Sequence, residues 1–226
     1  MRSAGLEQPS LQRMAIGLGL AGVHNKQWAA SFIADNPGYA FVALESDALT
    51  TLLGAHAGLP GAIVAIGTGS VGEVLHADGS HHEVGGWGFP SGDEAGGAWI
   101  GMRAVNHVQQ VVDGRLPGSA FATAVIDACG GQRDAMQVWL ATASQTTFAQ
   151  LAPLVLEHAA SNAVAHDILS EAGQQIALIA RALDPTGTLP VALCGGLAAP
   201  LSSYLPAALL QRVVPAQGDS AAGACA

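Results

Sequence analysis

The amino-acid sequence predicts an α/β fold in which helices cover a mixed sheet. Three observations lead to this prediction. Apolar runs alternate with amphipathic stretches over residues 14–57, which indicates strands alternating with helices. Three short apolar runs then follow one another over residues 62–84, as in a β-meander. A long helical region comes next, and a strand, a helix and a last strand follow it. This order describes one layered α/β fold.

The residues before Pro60 are predicted to form two strand–helix pairs. The turn Asn36-Pro37-Gly38 ends the first pair, and Ser46 is a candidate N-cap for the second helix. The Leu59-Pro60-Gly61 break is a candidate domain boundary. The predicted strands are residues 14–20 and 39–44, and the predicted helices are residues 25–35 and 47–57.

The residues after Pro60 are predicted to form a five-stranded sheet and a block of helices. The longest helix, residues 161–183, places its apolar side chains close to one face. A Gly195-Gly196 turn follows the fourth strand of this sheet. The predicted strands are residues 62–66, 71–76, 81–84, 190–194 and 212–214. The predicted helices are residues 94–112, 119–128, 133–141, 147–158, 161–183 and 201–209.

The composition excludes several classes of function. The 226 residues include eight lysines and arginines against seventeen acidic residues, with no basic cluster, so non-specific nucleic-acid binding is excluded. No run approaches the roughly eighteen unbroken apolar residues of a membrane span. The three cysteines, Cys129, Cys194 and Cys225, offer no C-x-x-C pair for a metal or a redox dithiol. A reducing, cytoplasmic location is therefore expected.

The run Gly67-Thr68-Gly69-Ser70 lies between two predicted strands. Such a turn exposes backbone N–H groups and hydroxyls with little side chain in the way, which suits a phosphate oxygen. A P-loop is excluded, because that motif needs a lysine directly after glycine and the single lysine, Lys26, follows asparagine. The alternative interpretation is an ordinary glycine hairpin turn.

A second glycine-rich segment combines an aromatic ring with two carboxylates. Trp87 lies in Gly85-Gly86-Trp87-Gly88, among residues too small to bury it. An aromatic platform for the face of a sugar is one interpretation of this residue, and an ordinary core tryptophan is the other. Asp93 and Glu94 are candidate ligands for polar groups in the same pocket. Their alternative role, which also applies to Asp47, is the acidic first turn of the following helix.

A dinucleotide-binding fingerprint is a competing interpretation of the N-terminal region. Gly17-Leu-Gly19-Leu-Ala-Gly22 matches G-x-G-x-x-G after a predicted strand and before a predicted helix. Glu45 ends the next strand, where an acid that binds a ribose is expected. A full Rossmann half needs a third strand–helix unit, whereas a β-meander follows here. An NAD-binding protein therefore stays as an alternative.

Six motifs occur in a fixed order along the chain: Gly19-Leu-Ala-Gly22, Ser46-Asp47-Ala48, Ala65-Ile-Gly-Thr-Gly-Ser70, Gly85-Gly-Trp-Gly88 with Gly92-Asp-Glu94, Cys194-Gly-Gly-Leu-Ala198, and the ending from Val214 to Gly223. The ordered set resembles the BadF/BadG-type ATPase family, and within it the N-acetylglucosamine and glucosamine kinases. That family belongs to the acetate and sugar kinase, heat-shock protein and actin superfamily.

The resemblance implies two ribonuclease-H-like (actin-like ATPase) domains with ATP and an amino sugar bound between them. Mg²⁺ is expected to arrive with the nucleotide and to have no ligand from the protein. The reaction implied is phosphorylation of the 6-hydroxyl of N-acetylglucosamine or glucosamine. The site residues implied are Asp47 as the catalytic base, Gly67, Thr68, Gly69 and Ser70 at the phosphates, Trp87, Asp93 and Glu94 at the sugar, and Gly195, Gly196 and Ala198 at the adenosine.

The family pattern is not matched at one place. The family opens with an Asp-Gly-Gly-type phosphate motif, and no such string occurs before Met14. We therefore expect residues 1–59 to be an incomplete first domain and residues 60–226 the second, with the last residues returning to the first. Impaired activity of this chain is expected for the same reason.

Several alternatives remain open from the sequence. They are an ATPase that activates acyl-CoA reductases or dehydratases, and a non-catalytic sugar-binding domain. The sequence does not distinguish glucosamine from N-acetylglucosamine, and it is compatible with a homodimer.

Overall fold

The computed structural model describes residues 10–225, so the first nine residues of the predicted N-terminal domain lie outside the described part. In chain order the strands are β1 (Ala15–Gly19), β2 (Phe41–Glu45), β3 (Gly61–Ile66), β4 (Ser70–Leu75), β5 (His81–Gly85), β6 (Val191–Cys194) and β7 (Val213–Val214). The helices are α1 (Lys26–Ala34), α2 (Asp47–His56), α3 (Gly97–Val112), α4 (Ala120–Ala128), α5 (Arg133–Thr142), α6 (Gln145–Ala149), α7 (Ala152–His158), α8 (Ala163–Leu183), α9 (Ala198–Leu201), α10 (Ala207–Leu210) and α11 (Ser220–Gly223).

The chain divides into two compact units. The smaller unit holds the residues up to Leu59 together with those from Ala216 onward, and the larger unit is Pro60–Pro215. The division falls within the Leu-Pro-Gly segment. None of the described helices combines the length and the apolar composition that crossing a membrane requires.

In the smaller unit, β1 and β2 form a parallel pair in the register Ala15 to Phe41. Helix α2 begins at Asp47, as the sequence predicts, and α1 begins one residue after its predicted start. The side chain of Asn25 caps α1 by accepting from the Trp28 amide at 3.1 Å, and Ser46 Oγ caps α2 by accepting from the Leu49 amide at 3.0 Å. The α11 helix, from the C-terminal segment, packs on α2.

The first two glycines of the predicted dinucleotide fingerprint lie inside β1. A Cβ at Gly17 would overlap the carbonyl oxygen of Ala224, and a Cβ at Gly19 would overlap the side chain of Thr50. In a dinucleotide fold the first two glycines form the turn and admit the pyrophosphate. Here the space at Gly17 and Gly19 is occupied by Ala224 and Thr50 of the same chain. The structure therefore disfavours the NAD-binding interpretation.

The larger unit contains the five-stranded mixed sheet predicted from the sequence, in the order β5-β4-β3-β6-β7. The meander strands pair antiparallel, and β3 pairs with β6, and β6 with β7, in parallel. Helix α8 packs on β3, β4 and β5. Its contact is close because Gly72 leaves room for Ile179 and Leu183. The prediction of an α/β layered fold is confirmed.

Three predicted helices differ from the structure. The predicted helix 147–158 is divided into α6 and α7, with Pro153 in the first turn of α7, where its missing N–H is tolerated. The predicted helix 201–209 is two short helices and a 3-10 turn, broken before Pro206. Helix α3 begins at Gly97 and not at Glu94, because Asp93 and Ala95 have φ of 61° and 69°. A left-handed backbone cannot continue a right-handed helix.

Candidate functional site

Two glycine-rich turns lie side by side in the larger unit. One follows β3 and the other follows β6, and these strands are parallel neighbours with Ala65 opposite Cys194. The amide of Leu197 donates to the carbonyl of Ile66 at 3.1 Å, which links the two turns directly. The carboxyl ends of the strands in an open α/β sheet are a common place for ligands. The two motifs that the sequence places more than a hundred residues apart thus form one surface.

The β3–β4 turn is fixed from behind by helix α3. The Gly67 amide donates to the Gly69 carbonyl at 2.9 Å, and the amides of Gly97 and Ala98 donate to the carbonyls of Gly67 and Thr68 at 2.8 and 2.9 Å. The side chain of Thr68 is exposed, and no described atom lies within 4 Å of the position of a Cβ on Gly67. The turn therefore has a held face and an open face, as a phosphate cradle requires.

Ser70 has a different environment from the other three residues of this turn. It is buried, and its hydroxyl donates to the backbone carbonyl of Glu94. This bond ties the start of β4 to the segment that carries the predicted sugar ligands. In this arrangement Ser70 holds the turn in place.

The β6 turn needs glycine at its first position. Gly195 has φ of 90°, and a Cβ there would overlap the carbonyl oxygen of Ile66. Gly196 is exposed, with no described atom within 4 Å of a Cβ position. The Ala198 amide donates to the Gly195 carbonyl at 3.2 Å as α9 begins. The exposed backbone at Gly196 is accessible to a flat ligand such as a nucleoside.

Asp93 is the most constrained polar residue of the site. Its side chain is buried although φ is 61°. One carboxylate oxygen accepts from the Gly88 amide at 3.0 Å, and the other accepts from Gln145 Nε2 at 2.8 Å. A Cβ on Gly69 would overlap the second oxygen, so this carboxylate touches the β3–β4 turn. A non-glycine residue with positive φ is uncommon and costs about 1–3 kcal/mol, so surrounding contacts must hold it there.

Trp87 is 86% exposed. Of the two interpretations of this residue, the core tryptophan is wrong, because its glycine neighbours provide no side chains to cover it. Gly92 lies close behind the residue, since a Cβ there would be 2.7 Å from the Cβ of Trp87. The indole is thus presented on a tight loop, available to stack on a ligand. The acidic-first-turn interpretation of Asp93 and Glu94 is also wrong, because α3 begins after both.

Asp47 lies in the smaller unit as the first residue of α2. Its side chain is exposed, and Oδ1 accepts from the amide of Ala48 at 3.0 Å. The carboxylate is therefore oriented by its own helix and open to solvent. Of the predicted site residues, the structure brings Gly67 to Ser70, Asp93, Glu94 and Gly195 together in the larger unit.

Gln145 is the site residue that the sequence does not reveal. It is the first residue of α6 and lies 52 positions from Asp93. The only local signal is Ser144 with Thr147, which predicts a helix start and not a site. Its importance depends on how α6 packs, which no periodicity in the sequence indicates.

The chemistry available at this surface is binding and positioning. Burial raises the pKa of the Cys194 thiol, which keeps it protonated and unsuited to act as a nucleophile. Within residues 10–225, no group of three or more His, Cys, Asp or Glu side chains could hold a metal ion. Backbone turns, an aromatic ring and fixed carboxylates are suited to phosphoryl transfer, which needs mainly positioning and charge stabilisation.

A protein-family model, described as the BadF/BadG/BcrA/BcrD ATPase family, matches residues 1–217. The chain belongs to this ATPase family. Membership implies that ATP is the nucleotide. The chain is 31% identical to glucosamine kinase GspK of Vibrio cholerae serotype O1 over 221 residues, which cover 97% of this chain and 75% of that protein.

Solved structures agree with the family assignment. A protein of Chromobacterium violaceum, named as a candidate N-acetylglucosamine kinase, superposes with a TM-score of 0.94 at 53% identity, covering 99% of this chain and 78% of that one. A Porphyromonas gingivalis protein of the same description superposes with a TM-score of 0.67 at 16% identity, over 90% of this chain and 72% of that one. The second likeness supports the fold alone.

Proposed function

We propose that this ATPase-family member is a hexosamine kinase that transfers the γ-phosphoryl group of ATP to the 6-hydroxyl of glucosamine or N-acetylglucosamine. The observation that carries the proposal is the position of Asp93. Its buried carboxylate touches the β3–β4 turn on one side. On the other side it binds residues 86–92, the loop that carries Trp87, which we call the Trp87 loop. The group that we assign to the sugar and the turn that we assign to the phosphate are thus in contact. The two relatives named as kinases of these sugars support the same substrate class.

The nucleotide is assigned to the two glycine turns. The open face of Gly67, Thr68 and Gly69 would hold phosphate oxygens by backbone amides and the Thr68 hydroxyl, with Ser70 fixing the turn. The exposed backbone at Gly196, between Gly195 and Ala198, would contact the adenosine. We assign Mg²⁺ to the ATP phosphates, where it would neutralise charge.

The sugar is assigned to the loop between β5 and α3. The exposed indole of Trp87 would cover the apolar face of the pyranose ring. The Asp93 carboxylate retains lone pairs beyond its two hydrogen bonds and would accept from a sugar hydroxyl. Glu94, half-buried beside it, would provide a second acceptor.

Asp47 is assigned as the general base. In the transfer the sugar O6 forms a bond to the γ-phosphorus, the bond from that phosphorus to the β–γ bridging oxygen breaks, and ADP leaves. The proton of the 6-hydroxyl passes to the Asp47 carboxylate. An exposed carboxylate, oriented by the first turn of α2, is suited to this role.

We also interpret the two compact units as two ribonuclease-H-like domains, the larger one spanning Pro60–Pro215 and the smaller one including the C-terminal segment. Because ATP is the phosphoryl donor, we place the enzyme in the cytoplasm.

Calorimetry and a transfer assay test the proposed function. The protein, saturated with a non-hydrolysable ATP analogue and Mg²⁺ so that no phosphoryl group is transferred, is titrated with glucosamine, with N-acetylglucosamine and, as controls, with glucose and mannose. Saturable binding of one hexosamine, at least about tenfold tighter than of glucose, is expected. With ATP in place of the analogue, phosphorus NMR then follows formation of the hexosamine 6-phosphate. Equal binding of all four sugars, or binding of neither hexosamine, overturns the assignment.

A further inference from the structure

Gln145 contacts the candidate sugar site from an element that no motif marks. Its side-chain nitrogen donates to the Asp93 carboxylate at 2.8 Å. A carboxylate can only accept, so the amide nitrogen, and not the amide oxygen, must face it. The orientation of the Gln145 amide is thereby fixed by its partner. Hydrogen bonds to a charged acceptor are stronger than neutral ones, so this contact restrains Asp93 effectively.

Helix α6 is itself held in place at this end. Ser144 and Thr147 form a capping box, in which Ser144 Oγ accepts from the Thr147 amide at 3.3 Å and Thr147 Oγ1 accepts from the Ser144 amide at 3.2 Å. The helix also packs closely on α3 at two glycines of that helix, Gly97 and Gly101. A Cβ at Gly101 would overlap the carbonyl oxygen of Phe148. Gln145 is therefore placed on a rigid support.

The other end of α6 contacts the Trp87 loop. The ring of Phe148 lies 5.7 Å from the ring of Phe89, measured between centroids, and 5.2 Å from that of Trp139. Gln145 and Phe148 are three residues apart and so lie on the same side of the helix. Helix α6 thus supports the loop at two points, one polar and one aromatic.

The Asp93 carboxylate joins three segments. Through Gly88 it holds the Trp87 loop, through its contact with Gly69 it meets the β3–β4 turn, and through Gln145 it is tied to α6. The Asp93 backbone carbonyl also accepts from the Gly96 amide at 3.0 Å. Without the Gln145 bond, the Gly88 amide would be the one hydrogen-bond donor left to this carboxylate among the described residues. The positive φ of Asp93 would then be held by fewer surrounding contacts.

We propose that Gln145 is a positioning residue that fixes the Asp93 carboxylate between the Trp87 loop and the β3–β4 turn, so that sugar binding and phosphate binding depend on one another. The sugar part of this inference rests on the proposed function. The positioning part rests on the contacts alone. A ligand-free measurement and a sugar titration test the two parts separately.

Gln145→Ala tests the positioning in the absence of ligand. Amide hydrogen exchange, followed by mass spectrometry, is expected to accelerate at least about fivefold in peptides from residues 86–96 and 67–72. Peptides from the far end of α3 are expected to exchange as in the wild type, which excludes global unfolding. Unchanged exchange in residues 86–96 overturns the positioning role, whether or not the protein binds a sugar.

Gln145→Glu tests the consequence for binding. The change keeps the shape of the side chain but places two carboxylates in contact, and such a pair shares a proton at low pH and repels at high pH. Glu94, next to Asp93 in the sequence, is also ionisable. Because it is present in the wild type and in every variant, it does not contribute to the difference between them. We expect the hexosamine dissociation constant to rise about tenfold near pH 8 and to return to within about twofold of wild type near pH 5. ATP affinity without sugar should change by less than about twofold, and the mutual enhancement of sugar and ATP binding should be lost.

Gln150→Glu is the matched control, because Gln150 is exposed at the other end of α6. It adds the same charge without contacting Asp93 and is expected to bind sugar as the wild type does at both pH values. If Gln145→Glu binds the hexosamine like this control at high pH, the coupling is wrong. If the wild-type protein binds neither hexosamine, the proposed function is wrong, and the exchange result still decides the positioning role.

Discussion

Gly17 and Gly67 lie in opposite environments, although each belongs to a glycine-rich run next to a buried strand. A Cβ at Gly17 would overlap the backbone of Ala224, whereas a Cβ at Gly67 would meet no described atom within 4 Å. The first glycine makes room for the protein's own chain. The second leaves a backbone surface open to a ligand. The role of a glycine is therefore learned from the atoms that its missing side chain would meet.

Asp184 and Asp47 show the same contrast among carboxylates. Asp184 is buried and accepts from Thr186, Gly187, Leu189 and Arg212, the last at 2.7 Å. Asp47 is exposed and accepts within its own helix turn. One carboxylate stabilises a loop of the larger unit, and the other is free to react. Four substitutions test which of these residues stabilise the fold and which of them act on a ligand.

Gly17→Ala is expected to have the largest effect. The added methyl group would clash with the backbone carbonyl of Ala224. Backbone cannot move aside as the end of a flexible side chain can, so the smaller unit should lose at least about 3 kcal/mol of stability. Urea unfolding followed by circular dichroism measures this loss. Gly118→Ala is the control, because Gly118 is exposed with open space around it. A Gly17→Ala protein as stable as this control would show that the contact with Ala224 is not formed.

Asp47→Asn is expected to leave the fold intact and to reduce turnover. Asparagine keeps the acceptor for the Ala48 amide but cannot take a proton, and a positioned base typically contributes about 10²–10⁴-fold to the rate. We expect kcat to fall within that range while the dissociation constants of both hexosamines change little. Steady-state kinetics and calorimetry measure the two effects. Asp35→Asn, exposed in the same unit, should retain full turnover, and near-full turnover of Asp47→Asn would remove it as the base.

Asp184 should make stability depend on pH under acidic conditions. Burial raises its pKa, but the side-chain hydrogen bond from Thr186, the backbone amides and the Arg212 guanidinium outweigh burial and lower the pKa from 3.8 to about 2. Because the folded pKa lies below the unfolded value, this contribution is present above pH 3.8 and is lost as the pH falls toward 2. We expect a loss of about 2 kcal/mol over that interval.

Asp184→Asn should lose a similar amount near neutral pH and show a flatter pH profile in thermal unfolding. Asp127→Asn, which removes an exposed carboxylate from α4, serves as the control and should unfold like the wild type. A profile for Asp184→Asn that still falls steeply below pH 4 would assign the acid sensitivity to another carboxylate.

Gly67→Ala is expected to have the smallest effect and to act on binding alone. The methyl group enters open space, so stability should change by less than about 0.5 kcal/mol. It would stand where a phosphate oxygen approaches the backbone, and ATP affinity should fall about tenfold, which corresponds to about 1.4 kcal/mol. Calorimetric titration with ATP and Mg²⁺ measures this change in affinity. Unchanged affinity would mean that the phosphates bind elsewhere.

The secondary structure was largely predictable because its signals are local. The side chains of Asn25 and Ser46 cap the helices that the sequence predicts, and the meander strands occupy the predicted positions. The errors occurred where local rules compete. Asp93 and Glu94 resemble the acidic first turn of a helix, but the left-handed backbone of Asp93 and Ala95 delays the start of α3.

By itself the sequence determined the order of strands and helices, the glycine turns, and a motif set specific enough to indicate the ATPase family. Periodicity, capping residues and turn residues act over a few positions, so they can be recognised in the sequence without a structure. Tertiary structure decided which glycine run admits the protein's own chain, that Trp87 is exposed, and that Gln145 reaches Asp93 across 52 positions. Those outcomes depend on how closely helices and turns approach one another, and close approach is a property of packing between distant segments.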